Sequence, residues 1–206
     1  MSVSSKRPYH HGNLKAVVLG AAVGQARAGG PDAVNLRELA HTVGVSPSAI
    51  YRHIRDRDHL MALVAQAARQ ELAATMLAGV EAVGVSGDGR LDAIARFAAT
   101  GRGYIAFATG STQLFRAAFY DPGCPPDAPD DPDPAQVLTA ALDELVEVGV
   151  VAAAERSEAS VMAWSAVHGI STLLAERALV GPLIVDPEAA IEAVLRGVFK
   201  AVAAPT

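Results

Sequence analysis

The chain has 206 residues, 51% of them apolar, with a formal net charge of −5 and a single cysteine, Cys124. This apolar content is ample for a buried core, and abundant alanine with few aromatic residues favours packed helices over sheets. The lone cysteine excludes an intramolecular disulfide framework, and the negative charge argues against a general nucleic-acid binder.

The charge is unevenly distributed along the chain. Residues 1–59 hold 8 basic and 4 acidic side chains, a balance of +4, so the remainder carries −9. This asymmetry indicates that one end of the chain contacts a polyanion. The start of the chain is polar and basic with no apolar run behind it, and no segment has the length and apolarity of a membrane span, so we expect a cytoplasmic protein.

The N-terminal part of the chain is predicted to form an arm followed by three short helices. The arm, residues 1–12, carries the cations Lys6 and Arg7. Asn13 is suited to cap the first helix, which ends before Pro31.

The second and third helices are predicted to meet at a tight turn. Asn35 is suited to cap the second helix, and Gly44 is suited to end it in the left-handed conformation. Ser46 and Pro47 are suited to begin a third helix of about two turns. The side chains expected to face inward are Leu36, Leu39, Ala40, Val43, Val45, Ile50 and Ile54.

Helical periodicity continues to the C terminus, so the predicted fold is all-α, with about nine helices and no sheet. The later helices are expected at residues 57–83, 90–108, 112–120, 135–148, 158–180 and 187–203. Asp56 is suited to cap the first of these helices and Ser157 the fifth. Residues 121–134 hold six Pro and five Asp, which predicts an acidic, extended loop.

The third helix and its surroundings carry side chains that suit the major groove of DNA. Ser48 and Ala49 are short enough to approach base edges, and Ala49 can contact a thymine methyl group. Tyr51 and His53 can donate hydrogen bonds to phosphates, and Arg57 can hold a phosphate at the start of the next helix.

Further cations extend this surface. Arg37 on the second helix and Arg52 have the reach for a base or a phosphate, and Lys6 and Arg7 of the arm can follow the minor groove or the backbone. On these residues alone a second interpretation stays equally open, in which the patch is an ordinary solvated surface.

The run GVSPSAIYRHIRDRDHL, together with the helix before it, resembles the N-terminal domain of the tetracycline-repressor (TetR) family. The positions that match the family pattern are Leu36, Leu39, Ala40, Gly44, Val45, Ser46, Ile50, Tyr51, His53, Ile54, Arg57 and Leu60. Arg57 stands where lysine is more usual, which preserves the positive charge. The resemblance implies a helix-turn-helix whose DNA contacts are Arg37, Ser48, Ala49, Tyr51, Arg52, His53 and Arg57.

The C-terminal part resembles, more weakly, a subgroup of that family named for a Trp-His-Gly signature. The similar segments are the arm RPYHHGNL, residues 104–119 and residues 164–169, with a departure at Gly110–Ser111, where His-Pro is more usual. The resemblance implies two units, an arm and DNA-binding domain at residues 1–58 and a ligand-binding and dimerisation domain at 59–206. It carries no particular ligand with it.

Two helices are expected to form a homodimer interface. In the resembled family, the helices that match 158–180 and 187–203 make a four-helix bundle with a second subunit. Small residues on the first of these helices allow close approach, and they are Ala159, Ala163, Ala166 and Gly169. The alternative is that both helices pack within the monomer core.

A ligand pocket is expected among the helices from 90 to 180. Its candidate lining residues are Phe97, Tyr104, Phe107, Phe115, Phe119, Trp164 and His168. The alternative for most of these aromatic residues is an ordinary place in the core, and for His168 a structural hydrogen bond.

The predicted function is that of a DNA-binding transcriptional regulator, a repressor that a small-molecule effector releases from a palindromic operator. The alternatives are an activator, or a helical sensor or carrier of an apolar ligand that does not regulate DNA. An enzyme is disfavoured because the sequence shows no nucleophile–base set, no metal-ligand spacing and no phosphate loop. We expect neither a cofactor nor a metal.

Overall fold

The computed structural model describes residues 14–121, 123, 133–177 and 186–203 of the chain. The predicted arm with Lys6 and Arg7, the cap at Asn13 and most of the predicted acidic loop lie outside the described residues. Within the described ranges there are nine α-helices and no strand, which confirms the all-α prediction. The helices are α1 (Leu14–Gly29), α2 (Leu36–Val43), α3 (Pro47–Ile50), α4 (Arg57–Glu81), α5 (Gly89–Gly110), α6 (Thr112–Ala118), α7 (Pro134–Glu147), α8 (Arg156–Ala175) and α9 (Pro187–Val202).

The first three helices form a small head that packs on the rest of the molecule. A 3-10 helix at Pro31–Ala33 joins α1 to α2. Leu39, Ile50 and Ile54 are fully buried in the head, and they belong to the same core cluster as Leu60 and Leu114 of α4 and α6. The head is therefore seated on the remaining helices through a continuous apolar core.

The longest helix, α4, runs from the head into the centre of the C-terminal part. Its N-cap is Asp56, whose side chain accepts a hydrogen bond from the His59 N–H at 2.8 Å. Helix α5 lies closely against it, and a methyl group at Gly103 would come within 2.7 Å of the Met76 backbone. A second core cluster fills the space between α5, α7, α8 and α9.

The eighth helix differs from the expected 158–180 range at both ends. It begins at Arg156, so Ser157 lies inside its first turn and is not the N-cap. The Arg156 side chain donates to the Asp143 carboxylate at 2.7 Å, which fixes the start of α8 on α7. The helix ends at Ala175, after which Arg177 takes the left-handed φ of 52°. Neither end was predicted because the N-terminal anchor is a tertiary contact and the C-terminal stop uses a non-glycine residue.

The third helix is shorter than the two turns expected for it. Its α-helical part is Pro47–Ile50, and the N–H groups of His53 and Ile54 then donate to the Ile50 carbonyl at 2.9 Å. Tyr51, Arg52 and His53 therefore lie on a turn that continues the helix, and the backbone still brings Ile54 back into the core.

None of the helices in the described ranges is both long enough and apolar enough to cross a membrane.

Candidate nucleic-acid interface and ligand cavities

The angle between α2 and α3 is set by caps that the sequence predicts. The Asn35 side chain accepts from the N–H groups of Arg37 at 2.9 Å and Glu38 at 3.3 Å. Gly44 has φ 75° and ψ 33°, and its N–H donates to the carbonyls of the last turn of α2. The Val45 N–H then bonds to the Ala40 carbonyl at 2.9 Å. These bonds hold the chain in a tight turn and direct α3 away from α2.

Gln25 of α1 also holds the start of α2 in place, a role that was not predicted from the sequence. Gln25 of α1 accepts a hydrogen bond from the Asn35 N–H at 3.0 Å through Oε1, and its Nε2 donates to Glu38 at 3.4 Å. Gln25 thus joins α1 to the first turn of α2. The sequence does mark Gln25 in one way, because it is the single polar residue in the apolar stripe of α1.

The predicted DNA contacts within the described residues share one exposed surface. Arg37 and Tyr51 line the same groove, of about 460 Å³, between α2 and α3. Tyr51 is 53% exposed although it is aromatic, and Ala49 is half-buried beside it. The exposed members of the predicted set are Arg37, Ser48, Tyr51, Arg52, His53 and Arg57.

Two of these cations have no acidic partner among the described residues. Neither Arg37 nor Arg52 takes part in an ion pair with any described residue. Ser46 and Ser48 hydroxyls lie 2.9 Å apart, so the start of α3 presents a paired set of small polar groups. The surface can therefore supply cationic, hydroxyl and methyl groups to a ligand with phosphates and base edges.

Arg57 lies in a different setting from the other cations of the head. Its guanidinium donates to the Pro31 carbonyl at 3.2 Å and reaches the Tyr120 hydroxyl at 3.5 Å. In the structure, Arg57 therefore links the N terminus of α4 to the head and to the segment after α6. A contact to a DNA phosphate, as predicted for this residue, would draw it from these partners or share it with them.

Five of the seven predicted pocket residues form one aromatic cluster. They are Tyr104, Phe115, Phe119, Trp164 and His168, with ring centroids 4.7 to 6.5 Å apart for the pairs in contact. The Tyr104 hydroxyl lies 2.7 Å from Nδ1 of His168. Burial raises the pKa of the Tyr104 hydroxyl and lowers the pKa of the His168 imidazole, so both groups are held in their neutral forms near pH 7.

The cluster separates two cavities. On one side is a small apolar cavity of about 60 Å³ that Phe97, Tyr104 and Trp164 line together with residues of α4, α7 and α9. On the other is an open cleft of about 390 Å³ that includes Phe115, Phe119 and His168 in its wall. Phe107 is buried and lines neither of these two cavities.

The described part of the chain holds no group of three or more His, Cys, Asp and Glu residues placed to bind a metal ion.

Two family sequence models match the chain. Bacterial regulatory proteins of the tetR family match residues 18–64, and the tetracyclin repressor-like C-terminal domain matches residues 97–198. Together these matches span more than half of the 206 residues. No curated protein matches the chain at a significant level.

The fold is shared with solved structures. A protein of unknown function from Rhodococcus sp. RHA1 is 28% identical, with a TM-score of 0.70 over 97% of this chain and 100% of that one. A TetR-family transcription regulator from Marinobacter aquaeolei is 15% identical, with a TM-score of 0.64 over 93% and 96% of the two chains. A regulatory protein of the tetR family from Rhodococcus RHA1 is 17% identical, with a TM-score of 0.57 over 97% and 100%.

The predicted family is thus confirmed by two sequence models, while the Trp-His-Gly subgroup stays a prediction. The chain belongs to the TetR family of bacterial regulatory proteins.

Proposed function

We propose that the chain is a sequence-specific transcriptional repressor that binds a palindromic operator as a homodimer and leaves it when a small effector binds. The observation that carries this proposal is the exposed surface on α2, α3 and the turn after α3. There an aromatic side chain, two arginines (Arg37 and Arg52) that form no ion pair with any described residue, and small hydroxyl groups share one face.

Each residue of that surface has a proposed role. Ser48 and Ala49 approach base edges, and Arg37 and Arg52 contact bases or phosphates. Tyr51 and His53 donate to phosphates and so fix the depth of the head in the groove. Arg57 adds a phosphate contact at the edge, a role carried over from the family. Lys6 and Arg7 of the arm follow the minor groove or the backbone.

One head buries too little surface for specific recognition, so a second copy is required. Helix α8 carries three large apolar side chains on its outer face. They are Val161, Met162 and Leu173, which are 67%, 46% and 41% exposed. An apolar outer face on a long helix supports an interface with a second copy. Two heads held about 34 Å apart would meet successive turns of the major groove.

The proposed release mechanism is a shift between two arrangements of the heads. Operator DNA favours the arrangement whose head spacing fits the groove, and the effector favours another. Helix α4 joins the head to the aromatic cluster region and is the proposed lever. This activity requires no catalytic group, no cofactor and no membrane, and we place it in the cytoplasm where bacterial DNA lies.

Selection from a pool of random duplexes followed by gel shift tests the proposal. The expected product is a palindrome with half-sites about one helical turn apart. Tyr51→Ala should weaken binding to that duplex by roughly tenfold or more, since it removes one phosphate contact and its packing. Because Tyr51 is 53% exposed, its loss should leave the unfolding midpoint unchanged.

The matched control is His41→Ala, which truncates an exposed ring on α2 outside the predicted contact set. It should bind the selected duplex as the wild type does. Unchanged affinity of Tyr51→Ala would refute the assigned surface. If no duplex is enriched at low salt, the apolar cavities would support the alternative of a ligand carrier that does not regulate DNA.

A further inference from the structure

An open cleft lies where α6, α8 and the head meet. Its walls include Phe115 and Phe119, Ala175 of α8 and Pro31 of the head. The cleft volume of about 390 Å³ falls within the range of small-molecule sites, whereas the apolar cavity of about 60 Å³ has room for only a few water molecules. The cleft is therefore the larger and more accessible of the two candidate ligand sites in the described core.

His168 supplies the cleft with a directed polar group. Its Nδ1 is hydrogen-bonded to the Tyr104 hydroxyl, and no described residue forms a hydrogen bond with Nε2. The hydroxyl proton of Tyr104 has no other acceptor among the described residues, so Tyr104 donates to Nδ1. In a neutral imidazole the remaining proton then sits on Nε2, which makes Nε2–H a hydrogen-bond donor to a ligand.

The remaining walls limit what that ligand is. Phe115 and Phe119 form a T-shaped pair with centroids 5.2 Å apart, and such faces favour a flat, aromatic guest. Among the described residues that line the cleft, the charged groups are one cation, Arg116, and two carboxylates, Asp121 and Glu176. This balance disfavours an anionic guest.

We propose that this cleft binds an uncharged aromatic molecule that carries one hydrogen-bond acceptor. The acceptor bonds to Nε2–H of His168, and the aromatic part packs against Phe115 and Phe119. A guest of this kind fills the cleft without leaving the histidine donor unsatisfied.

Binding at this place also bears on the head. Pro31 and Tyr120, which line the cleft, both accept a hydrogen bond from the Arg57 guanidinium. A molecule bound against Pro31 requires the head to stay in a position that keeps Pro31 in the wall of the cleft. Its binding therefore changes the affinity of the head for DNA, a consequence that rests on the proposed function.

Titration calorimetry on the DNA-free, full-length chain tests the site with two probes of similar size. Coumarin is flat and uncharged and has a carbonyl acceptor, and naphthalene has the same bicyclic shape with no acceptor. Coumarin should bind saturably. Its affinity should be about fivefold higher than that of naphthalene, because it forms one additional hydrogen bond. Absence of saturable coumarin binding would overturn the proposal.

Three variants locate the binding. Ala175→Phe places a ring inside the cleft and should weaken coumarin by roughly tenfold or more, since it occupies the volume of the guest. Ala140→Phe makes the same change on the exposed face of α7 and should bind coumarin as the wild type does. His168→Phe keeps an aromatic ring but removes Nε2–H, so it should abolish the preference for coumarin over naphthalene.

A loss of both probes together in His168→Phe would indicate a structural role for the histidine and overturn its assignment as the donor. Equal coumarin affinity in Ala175→Phe and the wild type would place the guest elsewhere and overturn the cleft.

A gel shift with the selected duplex separates the two proposals. Saturating coumarin should lower the DNA affinity of the wild type and leave that of Ala175→Phe unchanged. If coumarin binds at the cleft but no DNA is bound even in its absence, the proposed function fails while the site stands. If both are bound and coumarin does not alter DNA affinity, the coupling through Pro31 is overturned.

Discussion

Gly44 illustrates how a single residue fixes the angle of the reading head. It has φ 75°, in the left-handed region that glycine reaches without the clash that a Cβ would cause. A Cβ built at this position meets no atom within 4 Å, so the requirement for glycine comes from the backbone angle and not from space.

Gly44→Ala should therefore lower the free energy of unfolding by about 1 kcal/mol. Urea denaturation followed by circular dichroism measures the change. Gly24→Ala is the matched control, because Gly24 lies in the helical interior of α1 where a Cβ also meets nothing within 4 Å. That variant should gain about 0.5–1 kcal/mol. Losses of equal size in both variants would contradict the role of the left-handed angle.

His168 gives the stability of the protein a dependence on pH. Burial lowers the pKa of His168 below its ordinary 6.5, so just below that pH the unfolded chain binds more protons than the folded one. The stability that comes from the neutral ring is thus complete above pH 6.5 and is lost as the pH falls towards the lowered pKa. The lowered pKa values of Asp92, Asp143 and Glu192 act at lower pH, because their ordinary values are 3.8, 3.8 and 4.5.

The thermal midpoint should accordingly fall between pH 7 and pH 5, and it should fall less in His168→Phe, which has no proton to bind. Differential scanning calorimetry of both proteins across this range makes the comparison. Parallel curves for the two proteins would show that the His168 ring contributes nothing to the pH dependence.

At the scale of elements, a glycine allows the backbones of α4 and α5 to come close together where they cross. A Cβ at Gly103 would lie 2.7 Å from the Met76 Cα and 3.0 Å from the Thr75 carbonyl oxygen. Both atoms belong to the backbone of α4, so neither can move without shifting the helix. Since α4 also bears the head, the spacing at Gly103 affects both the core and the head.

Gly103→Ala should destabilise the protein by about 1–3 kcal/mol, the usual effect of overpacking a close contact. Gly110→Ala is the control, because Gly110 ends the same helix and a Cβ there meets no atom within 4 Å. Chemical denaturation of the two variants measures the difference. Equal stabilities of the two variants would show that α4 and α5 can move apart at Gly103 without a loss of stability.

The elements that the sequence predicts well are those whose signals are local. Asn35, Gly44 and Asp56 cap helices as predicted, because capping depends on a few neighbouring backbone groups. The start of α8 was misplaced at Ser157, since the ion pair of Arg156 with Asp143 comes from a distant part of the chain.

The site shows the same limit. Five of the aromatic residues of the predicted pocket do cluster, but periodicity could not show that the cluster divides a small apolar cavity from a larger cleft. Phe107 has the same apolar spacing as its neighbours and lines neither space. The bonds of Arg57 to Pro31 and Tyr120 join segments 26 and 63 residues apart in the chain, a separation that no local pattern records.

At the scale of the whole molecule, the charge and the apolar surface have separate places. The first 59 residues carry +4 and the remainder −9, so only the head presents a net positive field to DNA. The outer face of α8 has the opposite character, with large exposed apolar side chains and no charge between Val161 and Leu173. This division suits a molecule that binds a polyanion at one end and a second copy at the other.

Val161→Glu should break the proposed dimer, because a carboxylate without a partner would be buried between two copies of α8. The dimer Kd should rise by about 100-fold, because the buried charge weakens the free energy of association by roughly 3 kcal/mol. The affinity for the operator should fall with it. Val85→Glu adds the same charge in the loop between α4 and α5, where the side chain is 85% exposed, and should leave both quantities unchanged. Sedimentation equilibrium and gel shift measure the two effects. A wild-type chain that sediments as a monomer, or a Val161→Glu chain that remains a dimer, would contradict the interface on α8.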